Sequence, residues 1–239
     1  MYPTDDTIRA LARSSPWRWT TLHFRHRGGY REAEVEAWVR RPGNLLVRTG
    51  DGQEHRVSGV PYGRMFVSTD PDFVRPVSVP PQQVEPTLRP DGLVAERPAS
   101  WDVDYDDPMW GNYRWVAMLD PVELSHHVAV ADPRVDEVAG RPVWRSFLRA
   151  EEGYSARCGG NCCELLFSDV SRRCEFDDPG DAPPARPGTT YPDCYDVSLD
   201  QQTGVVVRCH PVGGDADSPW LEVDILDVDT DLDELFPSA

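Results

Sequence analysis

The stretch at residues 33–39, "AEVEAWV", constrains this chain more than any other. Successive side chains of a strand point to opposite faces. Ala33, Val35, Ala37 and Val39 therefore share one face, and Glu32, Glu34, Glu36 and Trp38 share the other. An apolar face backed by a charged face belongs to an antiparallel sheet with one buried side and one wet side. The same period returns in "NLLVRTGDGQEHRV", two strands about a Gly-Asp-Gly turn, and in "VDEVAGRPVWRSFLRA", two strands about Gly140. It returns again in "YDVSLDQQTGVVVRC", a hairpin turning at Gly204, and in "WLEVDILDV". Helix is confined to short pieces. Thr4 caps one that runs to Ser14, with Asp5 and Asp6 at its positive end and a stripe of Ile8, Leu11 and Ala12. "NYRWVAML" reads as a second, and Asp120-Pro121 opens a third over "VELSHH".

Between these elements the chain is rich in breakers. It has 23 prolines and 18 glycines, and its apolar fraction is 39%. Residues 68–112 carry eight of the prolines and the acidic run "WDVDYDDPMWGNY". Proline cannot donate to a sheet ladder, so this stretch reads as a long lid loop, with residues 68–109 the least ordered internal part. A second proline-rich loop covers residues 177–193. The net charge is −17 and uneven: residues 1–100 balance at +2, residues 101–239 at −19, and every fixed side-chain cation is Arg. Such a chain repels a phosphate backbone, which argues against nucleic acid as a partner. No apolar run approaches the ~20 residues that span a bilayer. The opening "MYPTDDTIRALARSSPWRW" lacks the basic start and apolar core of a secretory signal. As written the chain reads as cytoplasmic, and as exported only if a signal peptide has been removed.

The order of elements, with "VAGRPVW", "YDVSLDQQTGVVVR" and a final strand, resembles the superfamily of bacterial lipoprotein carriers (the LolA and LppX type) and the sensor RseB. The matching residues are Gly140-Arg141, Asp200 and Thr203-Gly204. The resemblance implies a mainly β (α+β) fold: a single curved antiparallel sheet, an unclosed half-barrel, with short helices packed on or across its concave face. It implies one domain over residues 1–239, to which the sequence adds the proline-rich lid loop at 68–112 and a cysteine-containing C-terminal part at 156–210. It further implies a non-catalytic protein holding a hydrophobic small molecule or lipid, or a protein partner, in a cavity between the sheet and residues 110–127. Trp19, Val35, Ala37, Trp110, Tyr113 and Trp115 are the expected lining. Two other readings stand beside it: an enzyme of specialised metabolism using the cavity as a reaction chamber, and an acidic protein-interaction module.

Six cysteines all fall after residue 157. "ARCGGNCC" places Cys158 and Cys162 across a glycine turn that brings both onto one side of a hairpin. Two thiols so placed suit one Zn²⁺ or one disulfide. Without an export signal the metal is favoured, with Cys194, Cys209 or His210 completing the set. No nucleotide cofactor is expected, because no glycine-rich phosphate loop is present. In the 194–209 hairpin an unbulged turn sets Cys194 opposite Cys209. A bulge at Gly204 instead sets Cys194 opposite His210 and Asp196 opposite Arg208, the better match of charge with charge. The runs Asp102, Asp104, Asp106, Asp107 and Asp227, Asp229, Asp231, Asp233 do not continue as calcium loops and read as solvated charge. His126-His127 reads as a helix end.

Overall fold

The computed structural model describes residues 2–28, 32–58, 79–98, 106–158, 163–174, 176, 179–182, 185 and 187–237. Helix α1 (Asp5–Ser14) starts at Thr4, whose Oγ1 accepts from the Thr7 amide at 3.3 Å. Nine strands form one antiparallel sheet: β1 (Thr21–Gly28), β2 (Glu32–Arg40), β3 (Asn44–Thr49), β4 (Glu54–Val57), then β7 (Val128–Val138), β8 (Arg141–Ala150), β9 (Cys194–Asp200), β10 (Val206–Val212) and β11 (Leu221–Val228). The order across the sheet is β4-β3-β2-β1-β11-β10-β9-β8-β7. Every neighbour is also a neighbour in sequence except one. At the centre the first strand pairs with the last, Phe24 opposite Ile225 and His26 opposite Val223. The two ends of the sheet do not meet among the described residues, so the fold is mainly β, as the alternation requires, and unclosed, as the resemblance implies.

The alternation sorts the two faces. On one face lie Leu22, Phe24, Val35, Ala37, Val39, Leu45, Val47, Leu148, Tyr195, Val197, Leu199, Leu221, Val223 and Ile225, all buried in the main core. This inner face is covered by α1, by α2 (Tyr113–Leu119) and by the 3₁₀ turn Val122–Ser125. The outer face is a ladder of alternating charge. Arg48 meets Glu54, Arg27 meets Glu222, and Arg145 lies between Asp136 and Asp196. Two details differ from the simple pattern. Ala33 is exposed at the strand end, and Trp38, on the charged side, is only 8% exposed because Leu232 and Phe236 cover it.

The lid expectation divides. Residues 59–78 and 99–105 lie outside the described residues. Residues 79–98 are a packed element: a 3₁₀ turn (Pro81–Gln83) and a two-stranded ribbon of β5 (Thr87–Leu88) and β6 (Val94–Glu96). Leu93 and Val94 are buried, and Arg13 donates to the Val94 carbonyl. The prolines keep this segment out of the main sheet, but its apolar pair anchors it on α1.

The residues that carried the family resemblance form a turn clamp. Asp200, fully buried, accepts from the Thr203 amide and hydroxyl at 2.8 Å each and takes Arg141 in a fork at 2.8 and 3.1 Å. The turn is longer than the sequence suggested. Asp200 donates its amide to the Val205 carbonyl, and a second irregularity falls between Val206 and Arg208. Both expected registers are therefore corrected: Cys194 faces Val212, Cys209 faces Val197, and His210 faces Asp196. The turn also presses on α1. Gly204 has φ +73, and a Cβ there would lie 2.8 Å from the Leu11 carbonyl oxygen and 3.3 Å from Ser15 Cα. Gly204→Ala combines left-handed strain with overlap against backbone, so it should lower unfolding stability by at least about 1 kcal/mol, read from the urea midpoint.

Candidate functional site

Of the six residues expected to line a cavity, Trp19, Val35, Ala37 and Trp115 are buried in the main core, while Trp110 and Tyr113 are half-buried. Trp115 of α2 packs on Phe24 with ring centroids 5.2 Å apart, and Phe24 is the cross-strand neighbour of Ala37. Trp19 instead lies under the Arg41 guanidinium, 3.3 Å from its ring centroid, and donates its Nε1–H to Ser15 Oγ. Trp110 stacks near His55 of β4 at 5.0 Å. The small side chains of β2 thus leave room that the protein's own α2 occupies.

What holds α2 and its flanks over the sheet is charge. Arg41, just after β2, takes Asp107 in a fork at 2.8 and 2.7 Å, with both side chains 1% exposed. Arg157 bridges Asp106 at 2.6 Å and Asp120 at 2.8 Å, and Arg97 reaches the same Asp120. The Tyr113 hydroxyl donates to Asp106. Burial alone would raise the Asp120 carboxyl, but Arg157 and Arg97 override it and hold the group below the usual carboxylate range. Burial likewise works against the charge on Arg157, and Asp120 and Asp106 more than restore it. Each charge is matched, which is what makes a buried ionic cluster tolerable.

Next to this cluster lies a second set of buried groups that the motif search did not find. Glu123 is 4% exposed; its Oε1 accepts from the Tyr154 hydroxyl at 2.6 Å and the Leu165 amide at 2.7 Å, and its Oε2 from the Arg157 amide at 2.6 Å. Burial still pushes its carboxyl up. Glu164 is 1% exposed; its Oε1 lies 2.8 Å from Ser171 Oγ, and its Oε2 meets no hydrogen-bond partner among the described residues. Burial pushes its carboxyl up to about 7. Arg114 of α2 donates to the Glu164 carbonyl through Nε and Nη2, at 3.1 and 2.7 Å. From the sheet side come Cys209, whose thiol donates to the Leu165 carbonyl and is pushed up to about 12 by burial, and Tyr195, also pushed up by burial. His26, 5% exposed, is pushed down to about 4 by burial and by Arg114. At neutral pH this interior therefore holds an uncharged imidazole, an intact thiol and intact phenols. Burial raises both Glu123 and Glu164, and Glu164, at about 7, changes charge near neutrality, the property of a general acid or base. When protonated it can donate to Ser171 Oγ, whose own hydroxyl then serves the Ser168 carbonyl 2.9 Å away. The signal available in the sequence was a lone carboxylate in the apolar run "CCELL"; the neighbouring cysteines drew the reading instead.

The expected metal set is not brought together. Cys194 and Cys209 stand on opposite faces of the sheet: Cys209 shares the inner face with Val197, whereas Cys194 is on the outer side with Asp196. His210 is also on the outer side, 3.1 Å from Glu222 and against Trp220. The pairing of Cys158 with Cys162 lies outside the described residues. Among the described residues no three His, Cys, Asp or Glu side chains gather as a metal site. The acidic runs are engaged elsewhere: Asp106 and Asp107 with arginines, Asp227 with His23 at 3.1 Å, and Asp229 with the Thr20 amide at 2.6 Å.

Two consequences are measurable. Asp107→Asn leaves Arg41 buried without its countercharge and should cost about 3 to 5 kcal/mol in urea unfolding. Tyr113→Phe removes one hydrogen bond from the same region and should cost about 1 kcal/mol. Glu164 governs a pH effect. Its folded carboxyl is raised from 4.5 to about 7, so between those values the folded state keeps a proton that the unfolded state has lost. Stability then falls as pH rises through that window, by about 3 kcal/mol in all, and levels off above it. Glu164→Gln imitates the protonated form. It should match the parent near pH 4 and exceed it at pH 8, in paired thermal melts.

No protein-family model matches this chain, and no curated protein matches it. Among solved structures it is similar to one titled "Crystal structure of MucB", at 14% identity and a TM-score of 0.34. The similarity covers 98% of this chain, which spans 63% of the length of that one.

Proposed function

We propose that this chain is a binding protein whose unclosed sheet holds a hydrophobic ligand or an apolar partner segment on its concave face. One observation carries the reading. The inner face is apolar across β1, β2, β3 and β9 to β11 apart from His26, and α2 packs on it from outside the sheet's ladder. A cover fastened by side-chain packing and a few ion pairs can lift without breaking the sheet. The ligand then replaces Trp115 and its neighbours on Phe24, burying like against like. Acidic composition and alternating outer charge make nucleic acid a poor partner. No helix among the described residues is long and apolar enough to cross a membrane.

A second reading has its own support. Glu164, buried, with an unpaired Oε2 and a carboxyl near neutrality, suits acid–base chemistry on a bound group and favours an enzyme that uses the same interior.

Dibromostearate, whose bromines quench nearby tryptophans, tests the first reading. Saturable quenching is expected, weaker in Ala37→Phe, which crowds the floor, and faster to develop in Tyr113→Phe, which loosens the cover. Absence of saturable quenching in all three proteins, by the acyl probe and by an apolar peptide carrying a quencher, removes this reading.

A further inference from the structure

Away from the inner core, on the charged outer face, a second apolar cluster joins Trp38 and Leu46 of the sheet to Leu232 and Phe236. Trp38 and Leu46 are direct cross-strand neighbours on β2 and β3. An uncovered Trp–Leu pair amid a charge ladder is an exposed apolar patch, and such patches mark binding surfaces. Here the chain's own residues 231–237 cover it. After β11 the backbone turns at Asp229, where φ is 55, and the segment is redirected over β2, β3 and β4. Leu232, Leu235 and Phe236 have the i, i+3, i+4 spacing of one helical face, and the Leu235 and Phe236 amides both donate to the Leu232 carbonyl, at 3.0 and 2.9 Å. That is the pattern of a short amphipathic turn laid into a groove.

The groove's rim carries Arg40, Arg48 and Arg56, the last two sharing Glu54, and the segment is acidic. Arg40 donates to Asp233 at 2.9 Å and to the Phe236 carbonyl, and its guanidinium lies 5.2 Å over the Phe236 ring. Arg56 donates to the Leu235 carbonyl at 2.8 Å, and Arg48 lies over Trp38 at 5.0 Å. Asp231, Asp233 and Glu234 supply the opposite charge. Asp233 is 77% exposed, so its pair with Arg40 is a weak rim contact. The main core is built on the other face and does not draw on this cluster.

We propose that the Trp38–Leu46 groove with its Arg40, Arg48 and Arg56 rim is a docking site for an acidic segment of a protein partner bearing apolar side chains at i, i+3 and i+4, and that residues 231–237 occupy it in cis. The tether holds the cis segment at an effective concentration on the order of mM, so a partner binds only by out-competing it.

The test uses the full chain with Leu232→Ser and Phe236→Ser, which frees the groove, and a fluorescein-labelled peptide of residues 229–237. The peptide should bind this variant at least about tenfold more tightly than it binds the parent. Binding should weaken with salt and fall at least about tenfold when Arg40→Glu is added. Far-UV circular dichroism and a cooperative melt establish that each variant is folded. If the double variant is not, the single variant Phe236→Ala replaces it. No saturable binding to a folded variant overturns the proposal. So does equal binding to variant and parent, or indifference to Arg40→Glu. A parent that dimerises in sedimentation, and becomes monomeric in the variant, would make the occupant a second copy and overturn the partner assignment.

Discussion

The pairing of β1 with β11 is the contact on which the rest of the structure depends. Each half of the sheet is a local meander in which strands find their sequence neighbours. Only the central ladder, Leu22 opposite Val228 through Gly28 opposite Leu221, joins one meander to the other. It closes nearly the whole chain into one loop, and loop-closure entropy must be offset by what the joint buries. Phe24, Val223 and Ile225 sit on the inner side of that joint, under α2. Arg25 faces Asp224 and Arg27 faces Glu222 on the outer side. The joint is therefore apolar within and charge-matched without, which specifies its register from both faces.

From this joint follow the two faces of the sheet. The inner face becomes continuous only when both halves meet, and a continuous apolar face demands a cover. The chain supplies one from α2 and the Val122–Ser125 turn, ahead of β7. That cover is pinned where Arg41, Arg97 and Arg157 meet Asp106, Asp107 and Asp120. Ion pairs of this kind are expensive to break on one side, so they hold the cover in place beside the contacts that Trp115, Ala117, Met118 and Leu119 make in the main core. The outer face, by contrast, is solvated except over Trp38.

The buried carboxyls add a different kind of constraint. Glu123 has three donors aimed at it and ties Tyr154, Arg157 and Leu165 together. Glu164 has one contact and an unpaired oxygen a few residues away. The same residue type thus serves two purposes, set by how many donors the fold provides. A buried carboxyl raised to about 7 is the observation behind the enzymatic reading.

Alternation in "AEVEAWV", "YDVSLDQQTG" and "WLEVDILDV" was enough to determine strands, their faces and a sheet wet on one side, because a two-residue period is a local property of the backbone. The cap at Thr4 and the left-handed turn at Gly204 were legible for the same reason. Register was not. The 200–205 turn takes more residues than its Thr-Gly signal suggests, since Asp200 engages Thr203 and Arg141 at once, and the shift separates Cys194 from Cys209 and His210. A cysteine count cannot reveal which face each thiol occupies; only the ladder does. Nor could sequence show that Trp38, on a charged face, would be covered from two hundred residues away. Burial of Glu164 depends on α2, β9 and β10 converging on it, and that convergence exists only in the tertiary structure, where removal from water, not residue type, decides the charge.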